Sequence, residues 1–256
     1  MPSDDSIYVI NGFYAAMRAK YTSPGSSVYY YSVQWDASAM SWADFRASVL
    51  GATDPESAAS GSLRNEVYQR WEALGLASKP NVGDNAVHGS ASAFEGFAER
   101  LNWLGATVDD DLTGHALLEA GVKKETLMAW TKDPQVELDG SMASLFDAFE
   151  DMSVPQVLKM SQKLAGDPFE DTPKFTTNQA FLFIKPHANN TAVRSLVKAQ
   201  LREVRRSHVT RAHGSVHVHA RVHVHARVHV IGRQAAAQAS HSHPLHSGLA
   251  IMADLT

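Results

Sequence analysis

The residues best suited to chemistry lie in the segment Asn85-Ala-Val-His88-Gly-Ser90. A free imidazole has a pKa of about 6.5, so at neutral pH it is mostly unprotonated and can act as a nucleophile with little activation. Gly89 and Ser90, directly after it, favour a tight backbone over a helix interior, which sets His88 apart from an ordinary core histidine. Histidine is scarce in the body of the chain: of 13, only His88 and His115 precede residue 187. Cysteine is absent, which removes disulfides, thiolate zinc sites and cysteine nucleophiles together. That usage suits a reducing compartment and is compatible with others.

The segment resembles the active-site signature of the nucleoside diphosphate kinases, Asn-x-x-His-Gly-Ser-Asp, and further matches follow in that family's order. Leu50-Gly-Ala-Thr53-Asp-Pro55 is similar to its Gly-x-Thr-x-Pro phosphate-contacting turn, and Gly61-Ser-Leu-Arg64 to its Gly-Thr-Ile-Arg. The spacing from Thr53 to Arg64 is the family's. Glu99 and Trp103 fall without a gap where the family has a supporting glutamate and a helix tryptophan. Gly12-Phe13-Tyr14 and Met17 match the helix whose aromatic ring stacks on the nucleobase. Arg46 is a looser match, one residue out of step.

The resemblance implies phosphoryl transfer from a nucleoside triphosphate to a nucleoside diphosphate through a phosphohistidine at His88. Glu99 would fix the tautomer of the ring and stabilise the charge it gains, with Ser90 bridging that contact. Arg46, Thr53, Arg64, Asn85 and Lys185 would surround the diffuse negative charge of the migrating group. Phe13 and Met17 would meet the base without hydrogen-bond readout. Mg2+ would arrive with the nucleotide rather than through a cluster of protein ligands. Homo-oligomers of even number are usual in the family. Plainer readings stand beside these: Arg64 and Glu99 as solvated helix charges, Phe13 and Met17 as core, Thr53 as the start of a turn. At the level of the whole chain, the alternatives are a nucleotide-binding scaffold that has lost turnover, or an incomplete product.

The chain departs from the family pattern at several places. Ala91 stands where the family has aspartate, and residues 70 to 80 form an insertion. The family's opening strand, with its phosphate-binding lysine, resembles Phe181-Leu-Phe-Ile-Lys185-Pro186-His-Ala-Asn, at the far end. Thr191-Ala-Val-Arg-Ser-Leu-Val-Lys-Ala-Gln-Leu then resembles its first helix. The order fits one window of a tandem array, the origin favoured here, or a circularly permuted strand and helix that fold back.

These residues need elements to position them. The expected fold class is α/β (α+β), a ferredoxin-like sandwich, incomplete or permuted, whose first strand lies centrally in the sheet. Residues 1–105 form the kinase-like core. Within it, GFYAAMRAKY has helical spacing, SVYYYSVQW favours a strand, and SWADFRASVLG reads as a helix capped by Ser41 and closed by Gly51. SGSLRNEVYQRWEALGL reads as helical in its second half, and AFEGFAERLNWLG as a helix. Residues 106–166 read as an almost entirely helical extension punctuated by Pro134 and Pro155, 167–178 as a linker, and 179–203 as the strand and helix just described.

Residues 204–256 read as a low-complexity, disordered tail. From residue 200 seven arginines face only Glu203 and Asp254, a local +5 in a chain of net charge -4. Val216 to Val230 alternates Val and His with Ala and Arg at the strand period, and its codons can be drawn from a simple repeat. His-x-His pairs can bind zinc or nickel, but low complexity is the favoured reading. The overall charge suggests neither nucleic acid nor an anionic membrane as a partner. No stretch approaches the roughly 18 apolar residues of a membrane span, and no secretory signal opens the chain, so the expectation is a cytoplasmic protein.

Overall fold

The computed structural model describes residues 12–166, 175–209 and 217–220, without the side chains of 12–14, 205–209 and 217–220. The first helix, α1 (Gly12–Thr22), buries Met17 and Tyr21, one turn apart. In β1 (Tyr29–Asp36), Tyr31, Val33 and Trp35 alternate inward with the period of two that a strand imposes. Ser41 accepts the Asp44 N–H and opens α2 (Trp42–Asp44). That helix widens into a π-helical turn, Phe45–Leu50, which ends on Gly51 at φ 91°. There follow α3 (Leu63–Gln69), β2 (Val87–Gly89) and α4 (Ala93–Leu104). The last of these starts at Ser92, which accepts the Glu95 N–H, and stops at Gly105 in the left-handed region. Beyond it lie α5 (Leu112–Glu119), α6 (Lys124–Trp130), the hairpin of β3 (Gln135–Leu138) and β4 (Ser141–Ser144), α7 (Leu145–Phe149) and α8 (Val154–Ala165). The described chain ends with β5 (Thr177–Ile184), a 3-10 turn at Pro186–Ala188, α9 (Thr191–Val209) and β6 (His217–Ala220).

Four strands form one antiparallel sheet in the order β2-β5-β1-β6. Its centre is β5, which pairs with β1 along its whole length, Tyr29 opposite Ile184 through Asp36 opposite Thr177. On its other edge Val87, His88 and Gly89 face Ile184, Phe183 and Leu182. Both faces of β5 are covered, and Ala180 to Ile184 are all fully buried, which is why the segment reads as an unbroken apolar run. Its start is anchored by Asn178, whose Oδ1 accepts the Val154 N–H and whose Nδ2 donates to Ser153 Oγ at the head of α8. The strand that resembles the family's opening therefore lies between β2 and β1 in the sheet.

The protein is thus mixed α and β, with antiparallel sheets. The region 106–166 is not almost entirely helical, because Asp139 and Gly140, both at positive φ, turn β3 into β4. It also shares one core with the residues before it: Phe94 of α4 packs on Phe149 at 4.9 Å and on Phe146 at 6.0 Å between centroids. In SGSLRNEVYQRWEALGL the helix occupies the first half, not the second. Arg70 leaves helical geometry, and Gly75, at φ 72°, closes a turn in which the Leu76 N–H returns to the Trp71 carbonyl. Helix α9 continues past residue 203 to Val209, and β6 falls inside the Val-His repeat, pairing with Tyr31 to Gln34. The rest of the tail, and residues 167–174 of the linker, lie outside the described residues. Among the described residues no helix is long and apolar enough to cross a membrane.

Candidate active site

The backbone that presents His88 is forced into shape just before it. Ala86 has φ 67°, and the Val87 N–H donates to the Asn85 carbonyl at 2.8 Å, a γ-turn of the positive-φ kind. A side chain other than glycine in that region costs on the order of 1–3 kcal/mol. The turn is held from outside. The Ala86 carbonyl accepts the Lys185 N–H at 2.9 Å, and the Ala86 N–H donates to His187 Nε2 at 3.2 Å. That nitrogen must be unprotonated to accept, in keeping with burial lowering the His187 pKa while Asp84 pulls it back up. Asn85 Nδ2 donates to the Thr53 carbonyl at 3.0 Å, and its buried Oδ1 has no partner among the described residues.

Glu99 of α4 meets His88 at Nε2, and its own side chain has no exposure to solvent. Ser90 Oγ donates to the other carboxylate oxygen of Glu99 at 2.6 Å and accepts the Phe181 N–H at 2.9 Å. The bridging role expected for Ser90 is therefore replaced by a direct Glu99–His88 contact, with Ser90 fixing the far oxygen. A carboxylate at Nε2 puts the ring proton there and leaves the lone pair on Nδ1. Among the described residues Nδ1 has no hydrogen bond. The ring is stacked on Phe183 and its side chain keeps 10% of its exposure, so it is held but reachable.

Two cationic residues bond the backbone around β2, Arg64 through its side chain and Lys185 through its main chain, and neither forms an ion pair among the described residues. Arg64 donates from Nε to the Val87 carbonyl at 3.1 Å and from Nη1 to the Gly51 carbonyl at 2.8 Å. Burial first, and then the charge of Arg46, lower its pKa to about 9. Lys185 directly follows β5, and its backbone N–H bonds the Ala86 carbonyl, two residues before His88. Burial and then Arg64 lower its pKa to about 8, against an opposing pull from Asp84. Like charges desolvated side by side are costly, and a bound anion relieves the cost.

Not every expected residue joins them. Arg46 pairs with Glu150 at 2.8 Å and Asp151 at 2.6 Å. Thr53 is exposed and engaged through its carbonyl, and Met17 is buried. Phe13 belongs to α1, with its side chain outside the described residues. Trp103 stacks on Phe181 at 6.3 Å and so serves the core under the site. Two residues were missed in the sequence. Phe183 carried no signal beyond its apolar run. Glu95 did, since it precedes Glu99 by one helical turn and therefore shares its face. No protein-family model, curated protein or solved structure matches the chain.

Proposed function

We propose that the chain is a nucleoside diphosphate kinase-like phosphotransferase with a ferredoxin-like sandwich, working through phospho-His88. The observation that carries this reading is the His88 ring, held at Nε2 by Glu99, whose far oxygen Ser90 fixes, on a strand whose Val87 carbonyl is bonded by the Arg64 guanidinium. In the first half-reaction Nδ1 attacks the γ-phosphorus of a nucleoside triphosphate while the bond to the β,γ-bridging oxygen breaks, and the diphosphate leaves. The ring then carries the phosphoryl group on Nδ1 and the proton on Nε2, and Glu99 offsets its positive charge. A terminal oxygen of a second nucleoside diphosphate reverses the step. Mg2+ enters as part of the nucleotide substrate. Further support comes from β5, which occupies the central place that the resemblance assigns to the family's first strand.

A second reading is a nucleotide-binding scaffold without turnover. It is favoured by the engagement of Arg46 with Glu150 and Asp151, which withdraws one expected cation from the phosphate. Incubation with γ-labelled ATP and Mg2+ separates the two. Acid-labile, base-stable label that is lost in His88→Ala and chases onto added diphosphate is the result expected of the enzyme. ATP binding without labelling would leave the scaffold.

A further inference from the structure

Glu95 and Glu99 lie one turn apart on α4, and both are buried. Their carboxylate oxygens and a ring nitrogen of His88 all fall within 4.8 Å of one another. The transfer described above uses only Glu99. Glu99 has two donors, His88 Nε2 and Ser90 Oγ, and can hold a negative charge against them. Among the described residues Glu95 has only the Ala91 N–H, which reaches Oε2 at 3.2 Å. The charged groups that face it are Glu99 from its own helix, Arg46 from the π-helical turn, Glu150 from beyond α7, and His88 from β2 when protonated. Arg46 pairs with Glu150 and Asp151, and its charge pulls the Glu95 carboxyl down without overcoming burial and Glu99. Two carboxylates about 4 Å apart repel by about 4 kcal/mol even at an effective dielectric constant of about 20. One of the pair must give up its charge. Burial and then the charge of Glu99 push the Glu95 carboxyl well above its usual range.

Building on the phospho-His88 reading, we propose that Glu95 is a positioning residue, the neutral member of a carboxyl pair that shares one proton and confines a single negative charge to Glu99 behind His88. When the pair loses that proton to solvent, a second negative charge stands beside a ring that must receive an anionic phosphoryl group, and transfer slows. The neutral acid thus sets the alkaline limit of the site rather than touching the phosphate.

The test uses the full chain with Mg2+ and γ-labelled ATP, comparing initial labelling rates across alkaline pH for the wild type and Glu95→Gln. Lys185 also loses its charge in that range, so slopes are compared. The wild type is expected to fall more steeply, by up to about tenfold per pH unit, the limit for one added deprotonation. Superimposable profiles would overturn the proposal. An infrared carbonyl band of a protonated carboxylic acid, present at neutral pH in the wild type and in His88→Ala and missing in Glu95→Gln, is the second expected result. Its absence from the wild type overturns the proposal even if the variant does not fold. A wild type that shows the band but never labels would reject transfer, and with it the role given to Glu95, while leaving the shared proton in place.

Discussion

The Phe183 ring lies 4.6 Å from the His88 ring, inclined by 29°, across a directly paired position of β5 and β2. The imidazole therefore rests on a strand that follows it by about half the length of the described chain. Removing that ring exposes both the site and the sheet. Phe183→Ala is expected to cost about 3–5 kcal/mol in urea denaturation, whereas Phe183→Leu, closer in volume, should cost less than about 1.5 kcal/mol. Phe181→Asp with Phe183→Asp would bury charge in the sheet centre and should abolish amide protection in β1 and β2. Unchanged melting in the double variant would mean that β5 does not dock there in solution.

Glu99 and Ser90 make separable contributions. Glu99→Gln keeps the shape and loses the charge that offsets the ring, so His88 labelling should fall about a hundredfold or more. Ser90→Ala leaves Glu99 Oε2 and the Phe181 N–H without their partner. Its main cost should be to stability, about 1–3 kcal/mol, with a smaller loss of labelling. Equal labelling by Glu99→Gln and the wild type would remove Glu99 from the mechanism.

Lys185 makes ligand-free stability and nucleotide affinity run in opposite directions with pH. Its folded pKa is about 8 against an ordinary value of 10.5, so between those values the unfolded chain binds more protons. Stability without nucleotide should therefore rise with pH through that window, the burden of the buried cation being full below about pH 8. Nucleoside diphosphate affinity should instead fall above about pH 8, as the attracting charge is lost. Lys185→Met should flatten both curves. Thermal melts and calorimetric titration at matched pH check the two curves, and a pH-independent nucleotide affinity would show that Lys185 faces away from the ligand.

Gly96 sets how closely α4 approaches the sheet. A Cβ placed there would stand 2.7 Å from the Gln179 carbonyl oxygen. Glycine to alanine inside a helix ordinarily gains about 1 kcal/mol. Here the contact is backbone, and overpacking at about 1–3 kcal/mol outweighs the gain. Gly96→Ala should lower Tm and also slow His88 labelling, since Glu95 and Glu99 ride on the displaced helix. A higher Tm would show that α4 can lift away freely.

Some of this was visible in the residues and some was not. Ser41 and Gly51 marked the ends of their helix correctly, and the apolar alternation of Tyr31, Val33 and Trp35 gave β1 and its buried face. The π-helical widening between those caps left no trace, because hydrogen-bond register is not encoded in apolar spacing. The β3–β4 hairpin carried its signal in Asp139-Gly140, outweighed by the helical spacings on either side. His88, Ser90 and Glu99 were readable as a set because one short segment, from β2 into α4, carries all three. The partner of Arg46 was not, since Glu150 and Asp151 reach it only through the docking of α7 on α4. The same holds for Phe183, whose meeting with His88 is a matter of strand register.

The central position of β5 also bears on how the protein can be made. On a ribosome, β1 and β2 emerge long before the strand that joins them, and neither pairs with the other. Until Thr177–Ile184 appear, the growing chain presents two open strand edges and an uncovered apolar interior. Joining β1 to β2 therefore waits on contacts of long sequence separation, which slows folding and prolongs exposure to aggregation. Biogenesis of this molecule is a late event, in which one eight-residue segment joins two strands made long before it.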